Sequence, residues 1–323
     1  MSTTLAARLS AQLLSGPPAA SAGEVVGHLL AVQAQDPRGA RLAVRARTAG
    51  LRAADVDAAL DARELVITWV NRGTLHLIRS EDYPWLHALT TPQIATGNAS
   101  RLRQEGVSPD QAERGVRVVE KELGDGPRTR GQLRAALERA NVPVAGQAVV
   151  HVLLLATLRG VCVRGPMKGA EQAFVLVKDW LPAAPPVDRD VALGELGRRY
   201  LAGHGPADER DLAKWAGITL ADARRALPPP VAAEVHPLPP PRLLGAFDPL
   251  LHGWVSREDV LGSHTEVVTV NGLFRPVALV KGKAVATWAM PDKAVELQPF
   301  GRLSAPVRKA LDAEAADVVR FLA

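Results

Sequence analysis

The sequence predicts a mainly helical fold with β-structure, in which short winged-helix units repeat and a small antiparallel sheet or barrel follows them. Three observations predict it. Gly126-Pro127 and Gly205-Pro206 each open an alanine- and arginine-rich or charged helical stretch, with Leu133 and Leu212 at the same offset of seven residues from the glycine. Gly16-Pro17 leads into a third helical stretch with looser spacing. Two of these stretches are followed by paired β-type runs with a basic, glycine-containing tip, and after Pro241 the apolar pattern changes to a period of two.

In chain order, the run Glu24 to Val32 is apolar, and Val26, Leu29, Leu30 and Gln33 fall on one helical face. The spacing predicts a helix that turns Gln33 toward the interior and stops at Asp36-Pro37, because a residue before proline disfavours the α conformation. Gln35 stands two residues beyond Gln33. In Asp36 to Arg47, Arg38, Arg41 and Arg45 are spaced for one face of a further helix. Leu65–Val70 and Thr74–Ile78 flank Asn71-Arg72-Gly73 as a first hairpin, with Thr74 and His76 on one face of the second strand. Val161–Arg164 and Ala173–Val177 flank Gly165 to Gly169 as a second hairpin. A helix followed by such a hairpin describes a winged helix, which lays its helix into a DNA groove and its wing along the backbone.

Proline clusters at 182–186, 228–230 and 237–241 mark boundaries, since they cannot continue a helix or an interior strand. Beyond them, Glu266–Val270 meets Asn271-Gly272, a strong hairpin signal. Pro276–Val280 and Ala284–Trp288 flank the tight turn Lys281-Gly282-Lys283, and a terminal helix carries Leu311, Val318, Phe321 and Leu322.

The chain of 323 residues has room for two to four small domains. Its formal charge of +5, mostly from arginine, favours an anionic partner, and arginine suits bidentate phosphate contacts. Arginine, alanine and proline enrichment also follows from a G+C-rich genome, which weakens that argument. The single cysteine, Cys162, lies in an apolar run, so it reads as a packed core thiol, and no cysteine-rich metal site is possible. No apolar stretch has transmembrane length and the start lacks the regions of a signal peptide, so the expectation is a soluble, cytoplasmic protein.

Gln33 and Gln35 are the candidate reactive pair; taken alone, two amides at a helix end are better explained as buried amides that cap backbone groups, and it is the surrounding sequence that favours a site. Arg38, Arg41, Arg45 and Arg72 are candidate phosphate contacts, with a solvated charged face as the bland reading of the first three. Phe247 and Asp248, in the run Phe247 to Trp254, are candidate site-lining residues that packing explains equally well. The motifs of zinc proteases, P-loops, dinucleotide folds and serine hydrolases are missing from the sequence.

Leu30 to Arg38, the hairpin Thr68 to Leu77, Tyr200-Leu201 with Gly205-Pro206-Ala207 and Trp215-Ala216-Gly217, and Ala246 to Pro249 together resemble the AlkZ-type bacterial DNA glycosylases. These belong to the helix-turn-helix superfamily that also contains the YcaQ proteins. The resemblance runs from about Leu5 to Trp288, and the order and spacing of its short motifs are specific. It implies three tandem winged helices forming a concave DNA-binding scaffold, with a C-terminal β-barrel. The expected limits are 1–115 with the glutamines, 116–186 and 187–236 for the winged helices, and 237–323 for the barrel-like domain and terminal helix. Members hydrolyse the N-glycosidic bond of N7-alkylated purines, some remove bulky natural-product adducts or unhook interstrand crosslinks, and some thereby give a producer self-resistance. The family's glutamine–apolar–glutamine motif maps onto Gln33 and Gln35; the YcaQ branch has aspartate at the second position.

Glycosidic hydrolysis passes through an oxocarbenium-like sugar, for which ordinary glycosidases use two carboxyl groups. An N7-alkylpurine is already a cation, so its departure needs no general acid. Amide carbonyls can then hold a water and direct partial negative charge at the sugar. The expectation is therefore a monofunctional glycosylase without metal or cofactor, acting on double-stranded DNA that carries alkylated purines, without membrane association and localised with the nucleoid. Aromatic residues are only 4% of the chain, which suggests an open site able to admit bulky adducts. A non-enzymatic winged-helix regulator is the competing reading, with the glutamines structural or reading an adenine edge. A metal-dependent hydrolase is disfavoured by scattered histidines.

Overall fold

The computed structural model describes residues 3–169, 171–229 and 234–323. Met1 and Ser2 of the expected start, and Pro230 of the second proline cluster, lie outside the described residues. The chain folds into two compact units, residues 1–56 with 193–323 and residues 57–192. Helices dominate, and the strands fall into sheets of mostly antiparallel pairs.

The first unit begins with α1 (Thr3–Ala11), α2 (Ala22–Leu29), the two-residue β1 (Val32–Gln33) and α3 (Pro37–Arg45). Ser21 starts α2 as an N-cap, its hydroxyl accepting from the Glu24 amide at 3.0 Å. The helix expected to reach Gln33 stops at Leu29, because its end is held from outside. Arg199 donates to the Gly27 carbonyl at 2.5 Å, and Gly203 leaves no room for a Cβ against the backbone of His28 and Leu29. Leu30 takes φ 67°, and the chain leaves extended. Leu30, Ala31 and Val32 are all buried, so the apolar run that reads as a helix face is an extended segment enclosed on every side. Asp36 then caps α3, accepting from the Arg38 amide at 2.9 Å, and Pro37 opens it.

The chain crosses to the second unit within α4 (Ala53–Asp61). There β2 (Leu65–Val70) and β3 (Thr74–Arg79) form the expected first hairpin, with Thr68 opposite His76 and Val70 opposite Thr74. Asn71 at φ 57° and Gly73 at φ 81° make its corner, conformations that asparagine and glycine tolerate best. Then come α5 (Tyr83–Thr90), α6 (Pro92–Gln104), α7 (Pro109–Gly124), α8 (Arg130–Arg139), α9 (Ala148–Leu158), β4 (Cys162–Lys168), β5 (Glu171–Leu176) and the short α10 (Val177–Trp180). The strands of this unit lie in the order β3-β2-β4-β5. Strand β4 runs through Gly165 to Lys168, residues expected from the sequence in the hairpin tip, with a register irregularity between Arg164 and Met167. Arg128 pairs with Phe174 through two backbone hydrogen bonds on the far side of β5. Cys162 is fully buried, and burial pushes its thiol up to about 12, as expected for a core residue. Between α8, the helix that follows Gly126-Pro127, and the second hairpin stands α9, which the sequence pattern does not mark; it is apolar nearly all round and packs against α6 and α7, with Asn98 and His151 bonded between α6 and α9. So covered, it presents no groove-reading face.

The chain returns to the first unit through α11 (Arg189–His204), followed by α12 (Glu209–Ala216), α13 (Leu220–Ala226), β6 (Arg242–Leu244), α14 (Glu258–Leu261), β7 (Val277–Val280), β8 (Lys283–Ala289), β9 (Glu296–Pro299) and α15 (Ala305–Leu322). The helices after the three Gly-Pro dipeptides begin with side-chain caps from Ser21, Thr129 and Asp208, and Leu133 and Leu212 are fully buried. The expected barrel is instead an open sheet in the order β6-β7-β8-β9. Its β6 edge is satisfied by side chains: Leu243 donates its amide to Glu314 at 3.0 Å and its carbonyl accepts from Arg45 at 2.7 Å. With that edge occupied, no strand is needed to close the sheet. Glu266–Val270 is not a strand either. Thr265–Val267 forms a single 3₁₀ turn, and only Val268 bridges to Phe274 around the Asn271-Gly272 turn. The Lys281-Gly282 turn between β7 and β8 and the terminal helix, with Leu311, Val318 and Phe321 buried, are as the sequence predicts.

Candidate active site

The glutamine pair sits where the chain passes from β1 into the cap of α3. Gln33 is 6% exposed and Gln35 is exposed. Gln33 Nε2 donates to Gln35 Oε1 at 2.7 Å. Gln33 Oε1 is buried and has no hydrogen-bond partner among the described residues. A buried carbonyl left so costs on the order of 1–3 kcal/mol, and native proteins normally satisfy it with water or a ligand. The pair therefore offers a fixed acceptor, held in place by the second amide. Asp36 takes no part, since its carboxylate is committed to capping α3.

The position of this segment is set by close backbone approaches. Gly39 of α3 lies against Ala246, and a Cβ on Gly245 would come within 2.9 Å of Leu42 Cβ and 3.1 Å of Gly39. Only glycines permit such contact, which places α3 directly on the chain following β6.

The expected arginine row divides. Arg38 is exposed at the start of α3, and Arg41 is 9% exposed, with Nη1 donating to the Pro37 carbonyl at 2.8 Å. Arg45 does not serve as a phosphate contact. It is 4% exposed and donates to Asp317 and Glu314, each at 2.8 Å, and to the Leu243 carbonyl. Those partners lie on α15 and β6, so Arg45 joins α3 to them. Asp248 is likewise corrected. It is fully buried in a two-pronged pair with Arg47, both bonds 2.9 Å, and lines no site. Arg47 also donates to the Gln12 carbonyl and side chain and to the Ala43 carbonyl, so its guanidinium is consumed by the core. Phe247, half-buried at φ 58°, stacks on His252 and packs against the core around Phe274.

In the second unit, Arg72 is exposed at the hairpin corner. His76 is 3% exposed, and Nδ1 donates to the Thr74 carbonyl at 2.9 Å. Burial pushes its pKa down to about 4, with a further contribution from Arg72, so it is neutral at pH 7 with Nε2 as an acceptor. Thr68, which faces His76 across the hairpin, and Asn71 are polar residues of this corner that the sequence pattern does not single out. Thr68 Oγ1, Thr74 Oγ1 and both side-chain atoms of Asn71 are buried without partners. The hairpin register was the signal that could have found Thr68, since a polar residue opposite a histidine shares its face.

A cleft of about 280 Å³, lined among others by Leu13, Gly16, Arg242, Glu314 and Asp317, contains neither glutamine. Among the described residues, no group of three or more His, Cys, Asp or Glu is placed to hold a metal, and no helix is long and apolar enough to cross a membrane.

The architecture is shared with a solved enzyme. The structure of the Streptomyces sahachiroi DNA glycosylase AlkZ superposes with a TM-score of 0.78 at 27% identity, over 98% of this chain and 95% of that one. A relative from the same organism, named an interstrand DNA cross-link repair glycosylase, is 30% identical over 97% of this chain and 94% of its own length. The class is thus the DNA glycosylases, hydrolases of N-glycosyl bonds, which sets aside the regulator reading. Residues 26–321 match the AlkZ-like DNA glycosylases, and the chain belongs to that family.

Proposed function

We propose that this protein excises N7-alkylated, cationic purines from double-stranded DNA by hydrolysis, with the water positioned by Gln33 and Gln35. The observation that carries the reading is the buried, unsatisfied Gln33 Oε1 beside its amide partner. In the proposed step the C1′–N9 bond breaks and its electron pair leaves with the base, cancelling the base's positive charge. Water oxygen then bonds C1′ and its proton passes to solvent. The Gln33 carbonyl accepts from that water and faces the positive sugar, while Gln35 keeps the carbonyl oriented. Neither amide takes up a proton at neutral pH, so catalysis is by placement and electrostatics, and is confined to bases that leave unaided. The reaction needs no metal or cofactor and forms no covalent enzyme intermediate.

Arg38, Arg41 and Arg72 serve as phosphate contacts in this reading, and Thr74 and His76, with Thr68, offer neutral polar groups to the DNA or its water. The relative named for interstrand cross-link repair extends the proposal to bulky adducts and crosslinks. The tandem winged-helix reading is supported by the order α7, Arg128 bridge, α8, α9 and the β4–β5 hairpin. An enzyme of this kind would work at the nucleoid. The test is a duplex oligonucleotide with one N7-methylguanine, incubated with protein and then treated with alkali. Strand cleavage at the lesion is expected; an intact strand would sink the reading.

A further inference from the structure

A half-buried cation in the second unit has no anion among the described residues. Arg164 stands on β4 opposite Phe174 of β5 and Ile67 of β2. Its guanidinium carbon lies 5.1 Å from the ring centroids of both Trp69 and Phe174, which are themselves buried. Nε is buried and bonds to nothing among the described residues. Arg45 and Arg47, the more deeply buried arginines of the first unit, are each bonded to carboxylates, whereas Arg164 has neither an ion pair nor a hydrogen bond among the described residues. A cation taken out of water without a partner is costly, and two ring faces return only part of that cost.

The surroundings make an external anion the fitting partner. Gln172 lies on the same face of β5 as Phe174, two residues away, and its Nε2 is a second buried donor without an acceptor. Arg130, at the start of α8, is close enough for its charge to act with burial, the larger cause, in pushing the Arg164 pKa down to about 10. Lys168, at the end of β4, reaches the first turn of α8, with Nζ 3.2 Å from the Pro127 carbonyl and 3.4 Å from Gln132 Oε1. Arg134 follows Arg130 by one helical turn and is exposed. Neighbouring acids are engaged elsewhere or turned away. Glu122 and Asp125 pair with Arg128, and Glu171, opposite Lys168 in register, makes no ion pair with it. Arg130 and Lys168, with Arg134 a turn further along α8, thus lie on the elements beside the orphaned donors of Arg164 and Gln172, and none of them has a carboxylate partner among the described residues.

We infer that Arg164, Gln172, Arg130 and Lys168, flanked by Arg134, form a phosphodiester-binding site on the second compact unit that grips the backbone of duplex DNA independently of the lesion. The inference rests on the DNA glycosylase reading for its ligand and uses none of the residues that the proposed chemistry uses. The Trp69 and Phe174 faces hold the guanidinium flat, so that it presents its two terminal nitrogens to one phosphate. Arg130 and Lys168 supply charge on either side.

The experiment measures binding of an undamaged duplex to the full chain at several salt concentrations. Arg130→Ala and Lys168→Ala, both at exposed positions, should each weaken binding about three- to tenfold at low salt. Each should lower the slope of log K against log salt by roughly 0.9, the loss of one phosphate contact. Arg164→Gln should do the same, and Arg164→Lys should restore part of the slope. Arg198→Ala, whose side chain pairs with Glu195, is the control and should leave the slope unchanged. Parent slopes in all three cluster variants overturn the inference. So does stabilisation by inorganic phosphate with no change in duplex affinity, which would make this a small-anion site. Because the readout is undamaged DNA, failure of N7-methylguanine excision would leave it untouched, and failure here would leave the glutamine chemistry standing.

Discussion

At the scale of single residues, identical side chains are put to opposite uses by their surroundings. Gln33 and Gln35 are bonded to each other with one buried carbonyl to spare. Gln33→Ala and Gln35→Ala should each cut the single-turnover excision rate on the order of 10²-fold while duplex affinity holds, the usual scale for one well-placed electrostatic contact. Excision at the parent rate by both variants would reject their assignment. Arg47 and Arg38 stand nine residues apart in one basic segment, yet Arg47 is sealed against Asp248 and Arg38 faces solvent. Arg47→Ala strands a buried carboxylate and should cost ~3–5 kcal/mol in chemical denaturation. His76 gives a pH signature. Its folded pKa of about 4 lies below the ordinary histidine value of 6.5, so the unfolded chain takes up a proton first as pH falls. The stability it contributes is present above about pH 6.5 and is lost as pH drops toward 4. His204, pushed down to about 3 by burial, acts in the same sense. The melting temperature should fall across that window, and less steeply in His76→Asn; identical slopes would remove His76 from the account.

At the scale of elements, the terminal helix is the surprise. Glu314 of α15 accepts from Arg45 of α3, from Arg242 and from the Leu243 amide of β6. One carboxylate therefore ties together the helix that follows the glutamines, the edge of the sheet and the end of the chain. Glu314→Ala leaves Arg45 with Asp317 as its carboxylate partner and opens the β6 edge, and should destabilise the first unit by on the order of 3 kcal/mol. Glu314→Gln, which keeps an acceptor, should cost less, and equal losses would mean that charge alone matters. The hairpins were legible because Asn71-Arg72-Gly73 and Lys281-Gly282 dictate corners whatever surrounds them. The helix through Gln33 was misread because Leu30 to Val32 is apolar at every position, a run that fits a buried strand as well as a helix face.

At the scale of the whole molecule, the proposed chemistry sets the substrate range. A site that works through amide carbonyls should release N7-alkylguanines, including bulky ones, and should leave uracil and hypoxanthine in place, since those bases need a proton to depart. A panel of defined duplexes tests this; efficient uracil excision, or failure on every bulky cationic adduct while small ones are cut, would contradict it. Chelator should leave the activity intact, and borohydride should trap no protein–DNA species.

The sequence by itself determined the mixed helical and β character, the capped helices after each Gly-Pro, the core placement of Cys162, and the family through motifs spread along the chain. These follow from local backbone preferences and from residue order, which need no partner. Tertiary structure alone decided which arginines face solvent, that α9 is covered, that the sheet stays open, and that α2 ends at Leu29. Each of those depends on what a distant segment brings: Glu314 and Asp317 to Arg45, Asp248 to Arg47, Arg199 and Gly203 to the end of α2. A charge or an apolar run carries no local mark of the partner that will meet it, and only the folded chain supplies one.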